Sequence, residues 1–171
     1  MAKKSEGEII LKTKVSFEDY KEFNNFYSFD VMKQKSIIAL AIIVLILTLT
    51  LEALLENYGA MIYSVFVALF ASVIINYYYK KIIKDYYKSA EYKLNIPGEV
   101  KLFEDYLECC DEFSSLKVFY NNIYATYESK ASIYIFINNK EVVIINKERN
   151  NKVPLAKAIT KLMSVTDYKS Y

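Results

Sequence analysis

Two stretches without a charged side chain constrain this sequence more than any other feature. They are Ile37–Leu51, "IIALAIIVLILTLTL", and Asn57–Tyr79, "NYGAMIYSVFVALFASVIINYYY". The first holds fifteen residues, or nineteen when Ala53, Leu54 and Leu55 are added past Glu52, and the second holds twenty-three. A helix rises about 1.5 Å per residue and a bilayer core is about 30 Å thick, so about 20 apolar residues span it. The first run nearly suffices and the second exceeds it, which tilt accommodates. A helical hairpin buried in a soluble protein would need a polar shell that the rest of the chain can barely supply. A signal peptide would begin near the N-terminus, yet thirty-six mostly polar residues precede the first run and no A-x-A site follows it. The sequence therefore predicts two transmembrane helices, over 36–56 and 57–80.

Charge sets their orientation. The connection around Glu52–Gly59 carries two glutamates and no lysine. Lys33 and Lys35 precede the first helix, and Lys80, Lys81, Lys84 and Lys88 follow the second. Lysine flanking a span favours the cytoplasmic side. The expectation is a multi-pass protein of the cell (inner) membrane, with both termini cytoplasmic and a tight acidic turn outside. Tyr77, Tyr78 and Tyr79 fall where an interfacial aromatic belt belongs. The lysines at 80, 81, 84 and 88 admit two roles: snorkelling topology signal, or contact with anionic lipid. Ala60, Ser64, Ala68 and Ser72 recur every four residues and form one narrow stripe that permits close helix approach. That stripe packs against the first helix or forms a seam between two copies. Neither span carries a buried charge or a Pro/Gly break of the kind that pumps, channels and transporters need at membrane depth, so the pair reads as an anchor.

The remaining composition limits chemistry. There is no histidine, which removes His-based acid–base catalysis, the Ser-His and Cys-His pairs, and most zinc sites. Gly7, Gly59 and Gly98 are the only glycines, too few for a phosphate-binding loop. Cys109 and Cys110 are adjacent, close almost no loop as a disulfide, and read as strand residues facing opposite ways. Glu104-Asp105 and Asp111-Glu112 sit at predicted turns or strand ends, and the other acids lack metal-ligand spacing. Net charge is +2, which gives no bulk basic field for nucleic acid. Lysine outnumbers arginine 21 to 1, a bias that reads as AT-rich bacterial codon usage. No catalytic residue, cofactor or metal site is expected.

The cytoplasmic parts read as α+β. In 1–35, Ile9, Leu11, Thr13 and Val15 alternate as a strand with one apolar face. Ser16 with Asp19 three residues on then starts a helix in capping-box style, and Phe17, Tyr20, Phe23 and Tyr27 line one of its faces. A lone strand is not stable, so this one is expected to join a sheet built by the C-terminal region. Residues 81–94 read as a basic juxtamembrane linker. Residues 95–171 read as five or six short antiparallel strands: a hairpin turning at Glu104-Asp105, a strand broken near Asn121-Asn122, and two apolar strands joined at Asn138-Asn139-Lys140. A final helix with Pro154 in its first turn shows Leu155, Ile159, Leu162 and Met163 on one face and closes an open end of the sheet.

Three stretches resemble the YcxB-like bacterial membrane protein family: "SFEDYKEFNNFYSF", "KLFEDYLECCDEFSSLKVFYNNIYATYES" leading through Ile123, and "YIFINNKEVVIINKERNN" with "LAKAITKLM". The resemblance covers most of the chain. The family often ends its last strand in Pro-Lys, where this chain has Asn146-Lys147. The resemblance implies a membrane-tethered, pleckstrin-homology-like (PH-like) C-terminal domain and no established reaction. The fold class expected is thus a membrane α+β protein: a two-helix hairpin with a small antiparallel β domain closed by a C-terminal helix.

The most suggestive polar cluster is "NKERNNK", with Lys147, Arg149 and Lys152. Arg149 is the sole arginine, and a guanidinium suits bidentate phosphate or carboxylate. This loop is either solvated or a contact for lipid headgroups or an acidic partner. The function expected is non-enzymatic: a cytoplasmic module for protein or lipid interaction. The alternative is an accessory or regulatory subunit of a larger membrane complex, docked through its transmembrane helices. Expected partners are membrane lipids, an unidentified protein and a second copy of the chain.

Overall fold

The computed structural model describes residues 9–32, 34–94, 96–138 and 141–171. Lys33, Asn139 and Lys140, which the sequence places at a membrane flank and in a turn, lie outside the described residues. The chain divides into two compact units: one joins the segment ending at Phe23 with 90–171, and the other is 24–89.

The first unit is built from both ends of the chain. β1 (Ile9–Thr13) pairs antiparallel with β2 (Gly98–Leu102), Ile9 opposite Leu102 and Thr13 opposite Gly98. β3 (Tyr106–Cys110) and β4 (Ser115–Phe119) complete a sheet in the order β1-β2-β3-β4. The expected pairing of the N-terminal strand with the C-terminal region is therefore present. A 3-10 turn at Tyr120–Asn122 leads into a second sheet of β5 (Ala125–Glu128), β6 (Ser132–Phe136) and β7 (Val142–Asn146). The hairpin turn at Glu104-Asp105 and the break at Asn121-Asn122 fall where the sequence puts them. Alternation decides the inner face: Leu11, Val100, Leu102, Leu107 and Val118 of the first sheet meet Ile133, Ile135 and Ile145 of the second in one core.

α4 (Lys152–Val165) closes that core with Ala158 and Leu162 buried and Leu155 and Ile159 packed beside them. Met163, expected on this face, is 60% exposed. The stripe that docks is 155, 158, 159 and 162, the i, i+3, i+4, i+7 set, and Met163 lies a further 100° around the helix. After α4 the chain adds β8 (Tyr168–Ser170), parallel to β5, which the sequence reading lacks. It is three residues long and shows no apolar alternation. β6 is buried at every position. Ile133 and Ile135 enter the core, while the rings of Tyr134 and Phe136 meet Phe23 of α1 (Phe17–Phe26) at 5.3 and 6.0 Å. A central strand covered on both faces accordingly loses the polar half of its alternation.

In the second unit, a π-helical turn at Tyr27–Val31 precedes α2 (Gln34–Leu54), and α3 runs unbroken from Tyr58 to Leu94, ending in the first unit. Glu56 takes a left-handed φ of 55° in the turn between them. Asn57 caps α3, its Oδ1 accepting from the Ala60 N–H at 3.2 Å. Both helices are long and apolar enough to cross a membrane, with mean hydropathies of 2.8 and 2.1, and their apolar stretches are not buried. Residues 81–94, expected as a linker, are helical, so α3 extends about 22 Å beyond Tyr79.

Candidate functional site

The loop after β7 is where the sequence concentrates its candidates, and the structure turns most of it inward. Lys147 Nζ lies 2.5 Å from Glu128 Oε1 and donates to the Ser129 carbonyl at 2.6 Å. Both charged side chains are 19% exposed. Tyr168 of β8 donates to the other Glu128 oxygen at 2.7 Å. Burial opposes ionisation of Glu128, but the bonds from Lys147 and Tyr168 outweigh it and hold the carboxyl below its ordinary value. Lys147 therefore ties the end of β7 to β5 and β8 and is not a free cation.

Arg149 is engaged in the same way with the N-terminal segment. Its guanidinium pairs with Asp19 Oδ2 at 2.8 Å, donates to Ser16 Oγ at 3.2 Å and donates to the Lys14 carbonyl. Asp19 also accepts from the Ser16 N–H at 2.7 Å, from the Ser16 hydroxyl at 2.6 Å and from Asn146 Nδ2 at 2.7 Å. This is the expected helix start, extended into a clamp. Burial of Asp19 raises the cost of its charge, yet Ser16, Asn146 and Arg149 together keep its carboxyl below the ordinary value. Nearby Glu22 moves the other way, pushed up by burial and then by the charges of Asp19 and Glu148. One residue further on, the Asn150 amide accepts from the Lys12 N–H at 2.7 Å and donates to the Lys12 carbonyl at 3.0 Å. It thereby imitates a strand on the outer edge of β1. The sequence reading missed Asp19 as the partner of Arg149, and Asn146 and Asn150 as further holds on the N-terminal segment, because Arg149 bonds Lys14 and Ser16 across 135 and 133 positions of chain. Lys152 remains exposed at the start of α4.

An open groove of about 580 Å³ runs beside this clamp, lined by Lys12, Lys14, Glu99, Asp111, Glu112 and Arg149 among others. Its walls carry both signs of charge and select no single class of ion. Cys110 is on its wall, whereas Cys109 packs against the core. Burial, then the neighbouring Cys110 and Glu108, push the Cys109 thiol up to about 12, so it stays protonated and unreactive at neutral pH. Among the described residues no group of three or more His, Cys, Asp or Glu could hold a metal ion.

On the helices, Ala60, Ser64 and Ala68 are half-buried and Ser72 is exposed. The Ser64 hydroxyl donates to Glu52 Oε1 of α2 at 2.8 Å, so the upper part of the stripe faces the first helix. Ser72 turns its hydroxyl back to the Ala68 carbonyl at 2.8 Å. Lys80, Lys81, Lys84 and Lys88 are all exposed on α3. The structure thus brings Lys147 and Arg149 onto the chain's own acids and leaves Lys152 and the α3 lysines to solvent. Comparison with family models, with curated proteins and with solved structures returned no match.

Proposed function

We propose that the chain is a non-enzymatic integral membrane protein of the cell membrane. α2 and α3 cross the bilayer as a hairpin, and a cytoplasmic PH-like module binds protein or lipid. The observation that carries this reading is the pairing of Thr13 with Gly98. Both apolar helices lie between these neighbours in the sheet. The two ends of the insertion must be on one side of any membrane, which requires an even number of crossings. Exposure supports it as well: Leu47, Leu54 and Phe70 are 63, 77 and 67% exposed, a burden a water-soluble surface avoids and lipid removes. The antiparallel sheets with a closing helix, and the three stretches resembling the YcxB-like family, favour the PH-like assignment. Lysine on the outer flanks and acid in the turn favour cytoplasmic ends.

The alternative, an accessory subunit docked through its helices, rests on the outward α3 residues Phe66, Phe70 and Ile74, which are 57, 67 and 51% exposed. Cross-linking and mass spectrometry on native membranes separates the two. An interaction module predicts that a foreign protein links to lysines of the first unit, such as Lys101, Lys117 or Lys157, and that Phe66→Ala with Phe70→Ala leaves those links intact. Foreign links confined to Lys80–Lys88, and lost in the α3 double variant, would replace this reading with the accessory one.

A further inference from the structure

We infer that folding of the first unit is a check on insertion of the hairpin: the module closes only when both flanks lie on the same side of the membrane. This inference rests on the reading of α2 and α3 as spans and adds a consequence to it. The N-terminal segment is not an appendage. β1 supplies Leu11, fully buried, to the core and covers the edge of β2 over five register pairs. α1 lays Phe23 on Tyr134 and Phe136, the outer face of the central strand. Three side chains from the far end of the sequence, Asn146, Arg149 and Asn150, hold the segment in place through Asp19, Ser16, Lys14 and Lys12. Without it, β2 presents a bare edge, β6 presents an uncovered aromatic face, and a hole replaces Leu11. Each is a recognised liability for a sheet.

The segment that fills that vacancy is residues 9–23, which pair in a defined register and are joined to β2 through the hairpin. A chain that crosses the membrane once, or with one end translocated, keeps every residue of the module and loses the means to assemble it. The loops can tolerate length, because closure entropy grows slowly with the size of an insertion. They cannot tolerate a bilayer between β1 and β2. The module is therefore assembled in correctly threaded chains and exposed to proteases in the others.

The test compares three chains, the first two in membrane vesicles, by limited proteolysis of the 96–171 region. One is the natural chain. In the second, Ile42→Lys and Leu45→Lys stop α2 from inserting, leaving α3 as a single span. In the third, residues 34–79 are replaced by a flexible Gly/Ser linker, which puts both ends back in one compartment. Impermeant labelling of Lys12→Cys and Lys130→Cys, each in a Cys109→Ala, Cys110→Ser background, records the side of each end. The expected result is a protease-resistant module in the first and third chains and loss of the resistant fragment in the second. Resistance that persists in the second chain, with its ends labelled from opposite sides, overturns the inference and leaves the two-span reading intact. A natural chain with its two ends on opposite sides overturns that reading, and this inference with it.

Discussion

At the scale of single residues, the first unit depends on a few positions where close approach or charge leaves no freedom. Gly98 stands opposite Thr13 in the register, and a Cβ there would sit 2.9 Å from both the Cys110 carbonyl oxygen and Thr13 Oγ1. Backbone on one side cannot yield, so Gly98→Ala is expected to cost about 1–3 kcal/mol and lower the Tm, as overpacking does. Gly59→Ala meets only Asn57 Oδ1, at 4.0 Å, and is expected to be neutral or better. Asp19 makes a prediction about pH. Its carboxyl titrates lower in the folded chain than in the unfolded one, as does that of Glu128. Their stabilisation is complete above the ordinary carboxylate range and is lost as pH falls through about 4 toward the folded values. Glu22, shifted upward, works in the opposite direction. In detergent, the Tm is expected to drop as pH is lowered through that range, and Asp19→Asn is expected to lower the Tm at neutral pH and flatten the dependence. An Asp19→Asn chain as stable and as pH-sensitive as the natural one would remove the clamp from the account. The Ser16–Asp19 start was legible because capping is local. Arg149 was legible only as an unusual residue, because its partners lie at the other end of the sequence.

At the scale of elements, periodicity carried most of the information. The apolar face of β1 and most of the helical stripe of α4 are properties of neighbouring residues, and they survive in the fold, whereas β6 is buried at every position. The expectations that needed correction concern exposure and continuity. Met163 is outside the docking stripe, 81–94 is helix because no Gly or Pro interrupts "KIIKDYYKSAEYKL", and β8 is too short to show a pattern. The correction to α4 is directly measurable. Leu162→Ala removes a fully buried side chain and is expected to cost about 2–5 kcal/mol. Met163→Ala is expected to stay within about 0.5 kcal/mol. Denaturant or thermal unfolding of the two variants should differ clearly, and equal losses would mean that α4 is rotated from the position described. The small-residue stripe illustrates the same division. Its spacing was legible, but its partner became clear only when Ser64 was seen bonded to Glu52 of α2.

At the scale of the whole molecule, the organisation is an insertion. A β module is interrupted between its first and second strands by two helices with membrane-spanning length, and the interruption begins and ends at paired residues. The sequence suggested a strand seeking a sheet; it did not show that the C-terminal region alone is incomplete. That follows from Leu11 in the core and from the Asn146, Arg149 and Asn150 bonds to the N-terminal segment. The central claim is that this insertion crosses the membrane twice with both flanks in the cytoplasm. Sided cysteine labelling tests it most directly. Cys109 and Cys110 are both partly exposed, so Cys109→Ala and Cys110→Ser together remove the native thiols. In that background, an impermeant maleimide is applied to right-side-out and inverted vesicles carrying Lys12→Cys, Glu56→Cys or Lys130→Cys. The account predicts that Glu56→Cys labels only from outside, and that Lys12→Cys and Lys130→Cys label only from the cytoplasmic side. Labelling of Glu56→Cys from the same side as the other two, or of Lys12→Cys and Lys130→Cys from opposite sides, would contradict it.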